Sequence, residues 1–238
     1  AHSLPHTRQS PLAEGPSNSG TSHGALVTLS RARTGMYAGP LRLLAHEVWE
    51  RMNQGTISPG IPPRACNLRT GEEVRTVDEY AGLVSCTVEM ADVTRPYDVA
   101  VIDEIQMIAD PQRGFAWTHA VLGLPAKELH LCGEASTVPL IQHLAKLCGD
   151  DLHVHNYERL TPLHVAPHSL YGDLGKVQRG DCIVAFKRST IFRLKEQIEA
   201  RTGLQCALAY GALPPETNSE EANLINAAKL EVIVEVEY

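Results

Sequence analysis

From Gly24 onward, short apolar runs alternate with longer stretches of helical periodicity. The runs predict strands over 35–38, 83–87, 99–102, 128–132 and 153–157, and the stretches predict helices over 40–53, 117–124 and 137–148. Strands and helices in alternation predict an α/β fold, a doubly wound parallel sheet with helices on both faces. Residues 157–177 hold turn formers and two prolines, Pro162 and Pro167, and read as a connection. A second α/β pattern follows: strand 182–186, helix 190–202, strand 206–210, a Pro-rich loop, helix 219–227 and strand 231–236. That last run alternates Val and Glu, as in an edge strand whose charges limit aggregation. Residues 1–23 are rich in Ser, Pro, Gly and His without apolar periodicity, so loop or disorder is expected there. The expected organisation is a segment 1–23, a first domain 24–156 and a second 157–238. No internal repeat points to a solenoid.

Composition narrows the picture. The chain has 238 residues and 43% hydrophobic content, enough for a large α/β domain or two smaller ones. A net charge of −7 argues against a general basic coat, so any nucleic-acid contact is expected to be local. The 6 cysteines form no CxxC pair and read as reduced thiols, which suits cytosol, nucleus or mitochondrial matrix. None of the 11 histidines has metal-ligand spacing with a Cys or acid partner. No apolar run approaches the roughly 18–20 residues that span a bilayer, so no membrane partner is expected. A chain that begins at Ala1 is expected to lack its natural start, with any targeting segment outside it.

The most informative spot is Val99-Ala100-Val101-Ile102-Asp103-Glu104. A continuous apolar run suits a strand buried on both faces, and its C-terminal edge would open into a ligand crevice. Asp103 is assigned there to a Mg²⁺ shell and Glu104 to an attacking water. A solvated strand end is the plain alternative. Gly15-Pro16-Ser17-Asn18-Ser19-Gly20-Thr21-Ser22 has the glycine spacing of GxxxxGK[ST], whose amides cradle phosphates and whose hydroxyl ligates Mg²⁺. Thr21 stands where the lysine belongs, and a flexible Gly/Ser loop is the competing reading. Residues 10–14 look too polar for a buried strand.

Taken together, GPSNSGTS from Gly15, GPLRLLAHE from Gly39, LRTGEE from Leu68, SCTVEM from Ser85 and DVAVIDEIQMIADPQRGFAWT from Asp98 form a series. HLCGE from His130, YERLTPL from Tyr157, GDCIVAF from Gly180 and YGALPPET from Tyr210 complete it. In order and spacing this series resembles the superfamily-two RNA helicases of the mitochondrial degradosome, the Suv-type DEIQ helicases, over about residues 15–227. The resemblance implies a RecA-like P-loop NTPase domain followed by a partial second one, with ATP and Mg²⁺ as cofactors and RNA lying across both. Asp103 and Glu104 keep their roles as catalytic residues. Gln106 would link nucleotide state to the other motifs, and Gly133 and Glu134 would form the coupling motif. Gly15, Asn18, Gly20, Thr21 and Ser22 would bind nucleotide, with Ser22 and Asp103 on Mg²⁺. Pro40, Arg42, Gly71 and Thr87 would lie on the RNA side, holding sugar and phosphate without reading sequence. A mitochondrial matrix location and a degradosome exoribonuclease as partner are implied in the same way.

Alternatives stay open for several of these residues. Arg42 and His46 also read as a solvated helix face, Trp117 as packing and not a stacking platform, His130 as a strand end, and Glu72 and Glu73 as surface charge. Two departures from the resemblance remove positive charge: Thr21 in place of the P-loop lysine, and Asn218 and Asn223 where basic residues are implied. The later motif with the arginine fingers is absent from these residues, which reinforces the missing lysine, so hydrolysis is expected to be very slow. A non-hydrolysing RNA-binding or partner-binding chain is the competing function. A metabolic P-loop kinase leaves GPLRLLAHE, SCTVEM and HLCGE unexplained.

Overall fold

The computed structural model describes residues 8–14, 21–157, 164–209 and 231–236. The chain divides into two compact units, Ala1–Pro162 and Leu163–Tyr238. The first is built from β1 (Gln9–Glu14), α1 (Thr21–Arg31), β2 (Gly35–Gly39), α2 (Arg42–Gln54), β3 (Cys66–Arg69), β4 (Val74–Arg75) and β5 (Leu83–Thr87). It continues through β6 (Tyr97–Ile102), α3 (Gly114–Gly123), β7 (Ala126–Gly133), α4 (Val138–Cys148) and β8 (Asp151–Asn156). The strands form one sheet in the order β4-β3-β5-β2-β6-β7-β1-β8, parallel throughout except for the β3–β4 pair.

Alternation within each strand divides the core between two faces, because successive side chains of a strand point to opposite sides. Val99 and Val101 of β6, Tyr37 of β2 and Cys132 of β7 pack with Ala25, Leu26 and Leu29 of α1 and Val48 and Met52 of α2. Ala100 and Ile102, Met36 and Ala38, and Leu129 and Leu131 pack on the other face with Trp117 and Val121 of α3 and Ile141 of α4. The continuous apolar runs follow from this two-sided burial. Gly55 and Gly149 end α2 and α4 in the left-handed conformation, at φ 71° and 73°, which costs glycine little.

The expected α/β parallel sheet is the observed one, and the expected strands and helices that fall on described residues lie within three residues of their observed ends. Three expectations are corrected. Residues 9–14 and 21–23 are not loop. They belong to β1 and α1, and β1 sits inside the sheet between β7 and β8, with Ser10 and Leu12 buried. Its pairing with β7 lapses at Ser10 and Pro11, where proline has no N–H to give. The short strands β3 and β4 also escape the pattern of the sequence.

The third correction lies in the second unit, which holds β9 (Cys182–Ala185), α5 (Arg188–Thr202), β10 (Cys206–Ala209) and β11 (Val232–Val236). Here β11 is the central strand of a parallel sheet in the order β10-β11-β9, with Val232 and Val234 buried, and not an edge. Ile191 and Ile198 of α5 cover that sheet beside Cys206. The expected helix 219–227 lies outside the described residues.

Candidate active site

Because seven strands of the first unit run parallel, their C-terminal ends share one edge. The turns after β1, β2, β3, β5, β6 and β7 therefore gather the segments that hold Ser22, Pro40, Gly71, Thr87, Asp103 and Gly133. In open parallel sheets this edge is where ligands bind.

Asp103 follows the last residue of β6 and is buried. Its backbone N–H donates to the Ala38 carbonyl at 3.0 Å, which extends the β6–β2 ladder by one residue. The Ser22 hydroxyl, in the first turn of α1, donates to Asp103 Oδ1 at 2.9 Å. Tyr37 donates its phenol to Oδ2 at 2.9 Å, and the Glu104 N–H reaches Oδ1 at 3.1 Å. A buried carboxylate needs such donors. Burial and then the Asp103 charge hold the Tyr37 phenol well above the usual tyrosine range. Tyr37 was not foreseen. It lies in an apolar strand, and only the β2–β6 pairing brings it to the acid.

Glu104 turns the chain off the strand in the left-handed region, at φ 50° and ψ 52°. For a residue with a Cβ this costs on the order of 1–2 kcal/mol. Burial, then the neighbouring Asp103 charge, push its carboxyl above the usual glutamate range, and the hydrogen bond from Gln106 opposes them. Gln106 points its amide two ways: Nε2 donates to Glu104 Oε2, while Oε1 accepts from the Glu134 N–H at 3.4 Å. The approach is close because Gly133 has no side chain. A Cβ there would stand 2.4 Å from Gln106 Oε1 and 2.9 Å from the Ile105 nitrogen.

A second network runs behind the acids. Trp117 is fully buried, and its indole donates to the Asp103 carbonyl at 3.0 Å, so it packs in the core. Arg113 lies over its ring at 5.3 Å, donates to Glu89 Oε1 at 2.9 Å through Nε, and donates to the Pro40 carbonyl at 2.6 Å through Nη2. Arg113 thus ties the turn after β2 to the turn after β5, and nothing in its local sequence announced that.

The remaining expected residues are placed as follows. Arg42 opens α2 and pairs with Glu72, next to Gly71 in the turn after β3. Thr87 ends β5 and is buried. His46 is buried, not solvated, with its ring centroid 5.0 Å from that of Trp49. His130 lies inside β7, 2.7 Å from Glu128, so it does not end its strand. Glu73 pairs with Arg75. Gly15, Asn18 and Gly20 lie outside the described residues, and Thr21 is the first residue of α1. That helix begins with no acidic residue in its first turn, which suits an anion at its N-terminus. Ser22 and Asp103 offer adjoining hard oxygen donors of the kind Mg²⁺ takes. Cys66, Cys86, Cys132 and Cys206 are buried free thiols, and Cys148 and Cys182 are exposed ones. Among the described residues no group of His, Cys, Asp and Glu forms a metal cluster, and no helix is long and apolar enough to cross a membrane.

Comparison with known proteins places the chain in a family. Residues 3–157 match the DEXQ-box helicase domain of Suv3. The chain is 50% identical over 212 residues to the mitochondrial ATP-dependent RNA helicase SUV3L of Oryza sativa subsp. japonica, covering 89% of this chain and 28% of that protein. It is 48% identical to the mitochondrial ATP-dependent RNA helicase SUPV3L1 of Homo sapiens, with coverages of 89% and 26%. Identity to the mitochondrial ATP-dependent RNA helicase SUV3 of Saccharomyces cerevisiae is 46%, with coverages of 92% and 29%. The chain thus spans less than a third of the length of these relatives. Among solved structures, S. cerevisiae Dbp5 bound to RNA and ADP BeF3 is similar with a TM-score of 0.62 at 13% identity, covering 99% of this chain and 66% of that one. That likeness carries the fold alone. With the match covering most of its length, the chain belongs to the family of the DEXQ-box helicase domain of Suv3.

Proposed function

We propose that the chain is the nucleotide-binding part of a mitochondrial ATP-dependent RNA helicase, with ATP and Mg²⁺ at the C-terminal edge of the first sheet and RNA along the same edge. The observation that carries this is the 2.9 Å contact from Ser22 to Asp103, which joins the hydroxyl that ends the proposed phosphate-loop string to the acid after β6. Relatives named as mitochondrial ATP-dependent RNA helicases support the substrate and the compartment. The residues after 162 are assigned to a partial second RecA-like domain, and an exoribonuclease is the proposed partner.

In this reading Ser22 and Asp103 hold the metal, and Gly15, Asn18, Gly20, Thr21 and Ser22 are assigned to the nucleotide. Bound Mg²⁺ supplies neutralisation of phosphate charge. Glu104, with its raised proton affinity, is placed to orient a water and accept its proton at a carboxylate oxygen. Gln106 holds Glu104 and reports its position to Gly133 and Glu134. Pro40, Arg42, Gly71 and Thr87 hold the RNA backbone, and Arg113 keeps two of these turns in register through Pro40 and Glu89.

Thr21 brings no positive charge to the triphosphate. A lost charge-assisted contact costs about 1.5–3 kcal/mol, so turnover is expected to be slow. The same residue favours a second reading, RNA or partner binding without hydrolysis. Phosphate release by the purified chain, with and without poly(U) RNA, separates them. RNA-stimulated release that disappears in Glu104→Gln supports the helicase reading. RNA binding with no release in either the native chain or Thr21→Lys refutes hydrolysis and leaves the second reading.

A further inference from the structure

A cavity of about 890 Å³ opens at the N-terminal edge of the first sheet, opposite the edge that carries Asp103. It is bounded by the residues that lead into β1, β2, β6, β7 and β8, and none of the residues assigned above to nucleotide, metal or RNA lines it. Its volume falls in the range of ligand pockets, about 300–1,000 Å³. Four cations line it, Arg8, Arg33, Arg95 and Lys127, against two carboxylates, Asp98 and Asp150. In a chain of net charge −7 this is a local reversal of sign.

The two carboxylates are already engaged. Arg8 donates to Asp150 at 2.8 Å and to the Leu124 carbonyl at 3.2 Å, closing one side. Lys127 and Arg33 share Asp98, at 2.7 Å and 3.7 Å, and the Lys127 hydrogen bond in particular holds the Asp98 carboxyl below its usual range. Arg95 is exposed and lies over the Tyr97 ring at 5.8 Å. The cation excess therefore faces the cavity, while Leu124, Pro125, Leu122 and the Tyr97 ring give it an apolar floor.

We propose that this cavity docks an acidic peptide segment of a partner protein, one that sets carboxylates against Arg33, Arg95 and Lys127 and an apolar side chain on the floor. Phosphates of a nucleic acid would meet the same cations, but the Asp98 and Asp150 carboxylates among them and a net charge of −7 disfavour a continuous polyanion more than a short peptide. Such a partner would hold the edge opposite the proposed nucleotide site, leaving that site open while it is bound. Charge steering at this rim would speed its arrival and weaken with salt.

The test is fluorescence anisotropy with the full chain and a labelled peptide alternating Asp and Leu, beside the same peptide with Lys for Asp. The acidic peptide is expected to bind and the lysine peptide not. In Arg95→Glu/Lys127→Glu, affinity for the acidic peptide should fall at least about tenfold and binding of the lysine peptide should appear, a gain that misfolding cannot produce. Equal binding of the acidic peptide by both proteins overturns the proposal. So does poly(U) binding at this site that competes with the peptide and vanishes in the variant, which would make the ligand RNA. Acidic-peptide binding seen only after deletion of residues 1–7 overturns it too, because the cavity would then belong to the chain's own segment.

Discussion

Trp117 donates its indole N–H to the backbone carbonyl of Asp103 at 3.0 Å, with no exposed surface on its ring. The bond fixes the carbonyl at the point where the chain leaves β6, directly behind the carboxylate assigned to the metal. Trp117→Phe keeps an aromatic ring but removes the donor together with part of the buried indole. Leaving a buried acceptor without a partner costs about 1–3 kcal/mol, and the space left by the indole adds to it. Urea denaturation should show a loss of at least that size, with the far-UV spectrum unchanged.

The raised proton affinity of Glu104 has a sign that can be checked. A carboxyl whose folded value lies above its unfolded one favours folding at low pH and loses that contribution as pH rises through the folded value. Glu104→Gln should therefore be more stable than the native chain at neutral pH, with the advantage shrinking as pH falls through the folded value and gone below the ordinary glutamate value. If the proposed role holds, the same variant loses phosphate release by about 10²–10⁴-fold. A variant less stable at pH 7 would show that the Gln106 contact outweighs burial.

His46 behaves in the opposite sense. Burial, then the Arg75 charge, hold its imidazole below the ordinary value of 6.5, and neither ring nitrogen has a hydrogen-bond partner among the described residues. The Glu50 and Glu73 charges act against that shift. A depressed folded value gives stability that is present above the unfolded value and is lost as pH falls through the folded one. Thermal melts should fall in Tm below pH 6.5, and His46→Leu should flatten that part of the curve.

Gly133 is held open by packing. A methyl group there would collide with Gln106 Oε1 and the Ile105 backbone, and backbone cannot give way cheaply. Gly133→Ala should destabilise the first unit by about 1–3 kcal/mol. Ala at Gly71, where no atom lies within 4 Å of a Cβ, provides the contrast and should leave stability unchanged in the same melts.

Thr21→Lys supplies the charge that the proposed phosphate loop lacks. Titration with a fluorescent ATP analogue should show binding tighter by about 1.5–3 kcal/mol, or roughly tenfold to a hundredfold. The contact from Ser22 to Asp103 sits beside this position, so Asp103→Ala should lower the Mg²⁺ dependence of that binding.

The local sequence already carried the parallel α/β class, β6 with its acids, and the order of the motifs. Continuous apolar runs such as Val99–Ile102 leave few alternatives to a strand covered on both sides. Periodicity reports only what a segment wants to bury, however. It does not say beside which segment it will lie. β1, with Ser10 and Pro11, reads as loop, and β11, with its alternating Glu, reads as an edge, yet both are interior strands. Pairing partners far along the chain overrode their composition, since an interior strand satisfies its backbone groups on both sides whatever side chains it carries.

The site divides in the same way. Asp103, Glu104 and Gln106 were legible because they are consecutive and follow a strand. Tyr37, Arg113 and the clash that reserves Gly133 were not, because each acts on residues 24 or more positions away in the chain. Sequence alone picked out the residues of the DEIQ turn to which the chemistry is assigned. Tertiary structure alone decided which hydroxyls, amides and guanidinium groups hold them, because the parallel sheet brings distant strand ends to one edge and hydrogen bonds act only over about 3 Å.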